Sequence, residues 1–342
     1  MITNETSGTY RLFRSKFTYL SFFLSIFVIM IHTFNLEAYR INGGGLYYFE
    51  SIVNSFANFA VPTFFMLSGY QFYRKLGRGE IKRKLKSRFS SIFVPFVLWG
   101  IIEYLFFGLL KTLPVIGAQM NDTGKAFDLS SLADILIFGE SHLWFLRNLI
   151  LYHLLSLLFY RLLKNKYLSP VVVICFIVLP IIIPALDVPR GIVKNFSFYL
   201  FGAALSCHCE KQFESSFGKM TAVISGIGTV ILAVLLMFAR NSLLSAVVRL
   251  LCTVLIWVAA SAFPIEKEAK GFIRQSFYIY VSHILVLECV EKIIFIAFKE
   301  TLLGAWIDYL LAPIITVGIL YIGYLLLHRF EKVWKTLTGA RN

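Results

Sequence analysis

Apolar runs of about 20 residues, each long enough to cross ~30 Å of hydrocarbon, recur from Phe17 to Leu327 with short polar stretches between them. Ten can be drawn, at roughly 17–36, 49–73, 90–110, 143–163, 168–186, 192–208, 220–239, 243–263, 275–298 and 304–328. The pattern predicts an all-α, polytopic membrane protein with about ten transmembrane helices. No internal repeat or low-complexity stretch interrupts it, so residues 1–342 are expected to form one integral membrane domain.

Composition agrees. Of 342 residues 58% are hydrophobic and 15% charged, 34 are phenylalanine, and the mean hydropathy is +0.74. A soluble domain of this length keeps far more charged surface. The net charge of +14 would suit nucleic acid, but the basic residues lie in tails and loops between the runs, where they report topology, and no nucleic-acid partner is expected. With the N-terminus in the cytoplasm, 23 of the 33 Lys and Arg fall inside, 7 outside and three within runs (Arg147, Arg249, Lys292). Ten is even, so both termini are expected to be cytoplasmic. Residues 1–16 and 329–342 then form cytoplasmic tails, 74–89 a basic cytoplasmic loop and 111–141 the longest extracytoplasmic loop. The first run is preceded by Arg11, Arg14 and Lys16 and lacks a small-residue cleavage site, as in an uncleaved anchor. Five cysteines, odd in number and in or beside apolar runs, make no disulfide framework.

The loop "RKLGRGEIKRKLKSR", Arg74–Arg88, holds eight basic residues and one acidic. It reads either as a topology signal beside anionic lipid or as a landing pad for a phosphorylated ligand. The outer loop carries Pro114, Gly117 and Gly124 and then an amphipathic piece, "LSSLADILIFG", suited to a lid.

Ionisable residues inside apolar runs are where chemistry is sought. In "FVIMIHTFN", His32 is the only one, about 22 Å from the cytoplasmic start of its helix. A packing histidine bonded to a carbonyl is the alternative. "GESHLWFLRNLILYH" places His142 and Trp144 at the outer interface and Arg147 about one turn deeper, within ~140° of His142. A guanidinium there needs a partner or a wet cavity. "SFYIYVSHILVLECVEK" carries His283, Glu288, Glu291 and Lys292; Glu288 and Lys292 are spaced for an intrahelical pair. Glu103 and Arg249 have the charges to pair between helices.

"CHC" at Cys207–Cys209 has metal-ligand residue types without a second pair at zinc spacing, so no metal is expected. "FFMLSGY" lacks the G-x-S-x-G of a nucleophile elbow. Walker, H-E-x-x-H and G-x-G-x-x-G patterns are absent.

In order along the chain, "SIFVIMIHTFN", "FAVPTFFMLSGYQFY", "KSRFSSIFVPFVLW", "HLWFLRNLIL" and "SFYIYVSH" resemble the acyltransferase-3 family of bacterial multi-pass membrane acyltransferases, which O-acylate surface carbohydrates. The likeness spans nearly the whole chain. One departure is Ser21, where many members carry an arginine eleven positions before the histidine of the first span.

The resemblance implies transfer of an acyl group, acetyl by default, from cytoplasmic acyl-CoA to a hydroxyl of a cell-surface or lipid-linked glycan, in the bacterial cell membrane. No bound cofactor is implied; acyl-CoA is a co-substrate. It places His32 as catalytic base or relay, with Arg147 and His283 beside the chemistry. Arg88, Arg83, Ser68, Gly69 and Tyr70 would hold the acyl donor, and His142 and Trp144 the acceptor. A sugar hydroxyl is a poor nucleophile near neutral pH, and an imidazole can take its proton or accept the acyl group. A polysaccharide exporter or flippase is the alternative reading. It lacks the paired, Pro/Gly-interrupted spans of repeat transporters.

Overall fold

The computed structural model describes residues 2–33, 44–112, 128–138, 142–187, 191–239 and 241–340, apart from the side chains of 2–7 and 9. Residues 34–43, 113–127 and 139–141, which include the tip of the expected outer loop, lie outside that description. The described chain is all-helical. Every apolar run becomes helix: α1 (Ile2–His32), α2 (Gly44–Ala57), α3 (Ala60–Tyr73), α4 (Ile81–Arg88), α5 (Val94–Thr112), α6 (Leu129–Ala133), α7 (Trp144–Leu155), α8 (Tyr160–Lys164), α9 (Leu168–Ile182), α10 (Ile192–His208), α11 (Glu210–Glu214), α12 (Lys219–Phe238), α13 (Ser242–Ala259), α14 (Ser276–Phe298), α15 (Leu302–Leu327) and α16 (Glu331–Thr338).

Seven helical stretches among the described residues are long and apolar enough to cross a membrane: 10–32, 44–73, 78–112, 144–164, 219–238, 242–262 and 302–327. The other three expected spans miss that mark for visible reasons. Helices α9 and α10 have 15 and 17 residues. Helix α14 carries Glu288, Glu291 and Lys292.

Two connecting stretches take local structure. Within the basic stretch, Ile81–Arg88 is helix, continued by a π-helical turn at Phe89–Phe93 into α5. Lys and Arg are good helix formers, and the breakers Gly77 and Gly79 lie before the helix starts. The turn widens just ahead of Pro95, which has no N–H to give the carbonyl four residues back. The amphipathic piece of the outer loop does fold, with the Asp128 carboxylate accepting from Ser131 N–H at 2.8 Å as its N-cap.

The chain gathers into two compact units, each drawn from three stretches of sequence. The first comprises Met1–Val28, Ser51–Lys84 and Leu151–Ser276. Its centre is the packing of α3 on α10, where glycine is required. A Cβ on Gly69 would fall on the Tyr199 carbonyl, and one on Gly202 on the Met66 carbonyl. Without a hydrophobic force between helices in lipid, such close backbone approach is what packs them. Beside it, Phe213 stacks on Trp257 at 4.6 Å, and Trp257 donates its indole N–H to the Phe213 carbonyl at 2.8 Å.

The second unit comprises Ile29–Glu50, Leu85–Ile150 and Phe277–Asn342. Its organising feature is a stripe along α5 at i, i+4 spacing, Trp99–Glu103–Phe107, all buried. Trp99 meets Tyr278 of α14 with ring centroids 6.3 Å apart and donates to the Leu337 carbonyl at 2.9 Å. Phe107 packs with Ile284 of α14. Gly339, at φ +67°, ends α16 directly against the Ser91 backbone, a place only glycine fits.

Candidate active site

Three of the six histidines meet in the second unit, although they lie up to 251 positions apart in the chain. His32 ends α1 and is exposed. Its ring centroid stands 5.3 Å from that of His283 on α14, which is 0% exposed. The His142 ring, just ahead of α7, stands 5.0 Å from His283. Tyr280, one turn before His283, packs its ring 6.1 Å from His142 and 5.4 Å from Phe145.

Polar contacts lock this group. The Tyr280 hydroxyl donates to the His142 carbonyl at 2.6 Å, and His142 Nε2 lies 3.1 Å from the Val281 carbonyl. His283 Nδ1 lies 2.6 Å from the Tyr280 carbonyl. His142 Nδ1 stands 3.3 Å from Glu103 Oε2, both side chains almost wholly buried. Those two atoms approach without forming a hydrogen bond.

Glu103 is the residue that sequence reading did not place. Its charge suits Arg249 in the sequence; in the structure α5 brings it to His142. The available signal was local: a single carboxylate centred in an aromatic i, i+4 stripe, where only a buried partner makes it tolerable.

The other expected residues are distributed. Arg147 is half-buried, one turn into α7, and its Nε and Nη2 donate to Asn148 Oδ1 at 3.2 and 2.8 Å. Trp144 is half-buried at the start of α7. Arg88, also half-buried, closes α4 in this same unit. Ser68, Gly69, Tyr70 and Arg83 belong to the first unit.

There, several members of the basic stretch have structural work. Arg74 donates through Nε to Glu214 Oε1 and through Nη2 to Glu214 Oε2 at 3.3 Å. The Tyr70 hydroxyl joins the same carboxylate at 3.0 Å. Burial alone would lower the Arg74 guanidinium, but the bond to Glu214 and its charge outweigh that and raise it above the ordinary arginine value. Lys84 caps the end of α3, donating to the carbonyls of Phe72 (2.7 Å) and Arg74. Arg83 is exposed and pairs with Glu80. His208 of the "CHC" triplet is also engaged, its Nε2 lying 2.8 Å from the Leu163 carbonyl.

Comparison with known proteins gives one match. The family model described as an acyltransferase domain, acyltransferase-3, matches residues 16–328. No curated protein and no solved structure matches the chain.

Proposed function

The chain belongs to the acyltransferase-3 family, and from that premise we propose that it moves an acyl group, acetyl by default, from cytoplasmic acyl-CoA to a hydroxyl of a cell-surface or exported carbohydrate. The supporting observation is the meeting of His32, His142 and His283 in a membrane acyltransferase whose sequence offers no other nucleophile pattern. The proposal places the protein in a bacterial cell membrane, crossing it about ten times with both termini in the cytoplasm.

His32 is the base. Exposed at the end of α1, it is accessible to a substrate, while its neighbour His283 is sealed. It takes the proton of the attacking sugar hydroxyl as the new C–O bond forms, and returns a proton to the departing thiolate. Arg147 supplies a cation for the oxyanion that develops on the thioester carbonyl. Arg88, in the same unit as His32, is assigned to the donor's phosphates; Arg83, Ser68, Gly69 and Tyr70 are the donor-binding candidates of the first unit. His142 and Trp144 stand on the acceptor side.

The test is His32→Ala in a strain lacking the native copy, with surface-glycan O-acyl content measured by mass spectrometry at matched protein level. The expected outcome is loss of acylation by 10²-fold or more, on the order of what a positioned base contributes. Wild-type acylation would overturn the role of His32. Glycan retained inside the cell would favour an exporter.

A further inference from the structure

His142 grips the turn of α14 that carries His283 at two points, through its own carbonyl on the Tyr280 hydroxyl and through its ring on the Val281 carbonyl. A carbonyl cannot donate, so His142 Nε2 carries a hydrogen. The same reasoning fixes His283. Its Nδ1 faces the Tyr280 carbonyl and is therefore N–H, which leaves Nε2 with a lone pair. That Nε2 is buried and receives no hydrogen bond from any described residue. An acceptor sealed in this way is expensive unless a donor reaches it. Two imidazoles stand beside it. His142 spends its Nε2 hydrogen on the Val281 carbonyl, and its Nδ1 stands 3.3 Å from Glu103 Oε2. His32 is the other.

We propose that His283 is a positioning residue for His32: its Nε2 lone pair accepts an N–H of His32, and Glu103 braces that acceptor through His142. This rests on the acyltransferase reading above. With one His32 nitrogen held as N–H, the other must present its lone pair to the incoming hydroxyl. The proton accounting is then closed. His32 takes the hydroxyl proton as the C–O bond forms, the C–S bond breaks, and the proton goes from His32 to the thiolate sulfur. His283 exchanges no proton; it orients the ring and steadies the transient imidazolium. Glu103, held between the Trp99 and Phe107 contacts, stands 3.3 Å from His142 Nδ1 and limits where that ring can lie.

The experiment uses the full chain, 15N-labelled at histidine, in lipid nanodiscs, with the His32 ring signals identified by their loss in His32→Gln. Acyl transfer from acetyl-CoA is measured on the same samples. In the wild type the His32 nitrogens are expected to report one tautomer. His283→Leu is expected to mix the tautomers and lower kcat about 100-fold with KM for acetyl-CoA little changed. His283→Gln, whose amide oxygen is an acceptor, is expected to restore the single tautomer and much of kcat. Glu103→Gln is expected to cost about tenfold in kcat through a weaker bias of the same signals. Unaltered His32 signals in His283→Leu overturn the proposal. Should that variant not fold, unaltered signals in Glu103→Gln overturn the brace. A locked His32 tautomer in a protein that transfers no acyl group leaves this inference standing and removes the function it was built on.

Discussion

Two buried polar groups, one in each unit, solve the same electrostatic problem in opposite ways. Around Glu214, every strong charge is answered: Arg74 binds both carboxylate oxygens and Tyr70 adds a third bond. Around His283, polar atoms are held rigidly but not all satisfied, and its Nε2 lone pair is left facing the rings of its neighbours. A closed network stabilises a fold, whereas an open one keeps a group available for chemistry. The motif "SGY", read for function in the sequence, has its clearest structural explanation in the closed network, with Gly69 admitting the Tyr199 carbonyl and Tyr70 bonding Glu214.

The contrast can be broken by experiment. The largest expected effect on stability comes from Glu214→Ala, which removes both Arg74 hydrogen bonds and the Tyr70 partner and leaves the half-buried Arg74 with Glu210 at 3.8 Å. A loss of about 3 kcal/mol is expected, seen as a drop in Tm in detergent, while turnover per folded molecule is retained. Wild-type Tm would mean that the pair contributes nothing. Next is Gly69→Ala, where a Cβ meets backbone rather than a flexible side chain; overpacking is expected to cost about 1–3 kcal/mol. An unchanged Tm there would show that α3 and α10 can part without penalty. The smallest effect is from Tyr70→Phe, which removes one hydrogen bond, about 1 kcal/mol. This last variant sharpens the comparison most. If KM for acetyl-CoA rises while Tm stays constant, Tyr70 belongs to the donor site and not to the closed network.

Much of the fold was legible beforehand because lipid imposes a simple demand. Backbone groups must bond internally, so an apolar run of sufficient length becomes helix whatever its neighbours do. All ten runs did. Charge alone did not show that the basic stretch holds a helix, or that its Lys84 and Arg74 secure the end of α3 and the Glu214 carboxylate. In the candidate site, His32, His142 and His283 stood out as ionisable residues in or beside apolar runs. Glu103 did not, since one carboxylate in an apolar helix says only that a partner exists.

By itself, then, the sequence determined the helical membrane class, the positions of the helices and the short list of side chains too costly to bury without reason. Helix periodicity supplied the face each one occupies. Tertiary structure alone decided which faces meet: that His32 and His283, 251 positions apart, bring their ring centroids to 5.3 Å, and that Glu103 stands beside His142. The physical reason is that a residue's burial cost is local and written in its neighbours along the chain, whereas its partner is chosen by the packing of helices that no local period encodes.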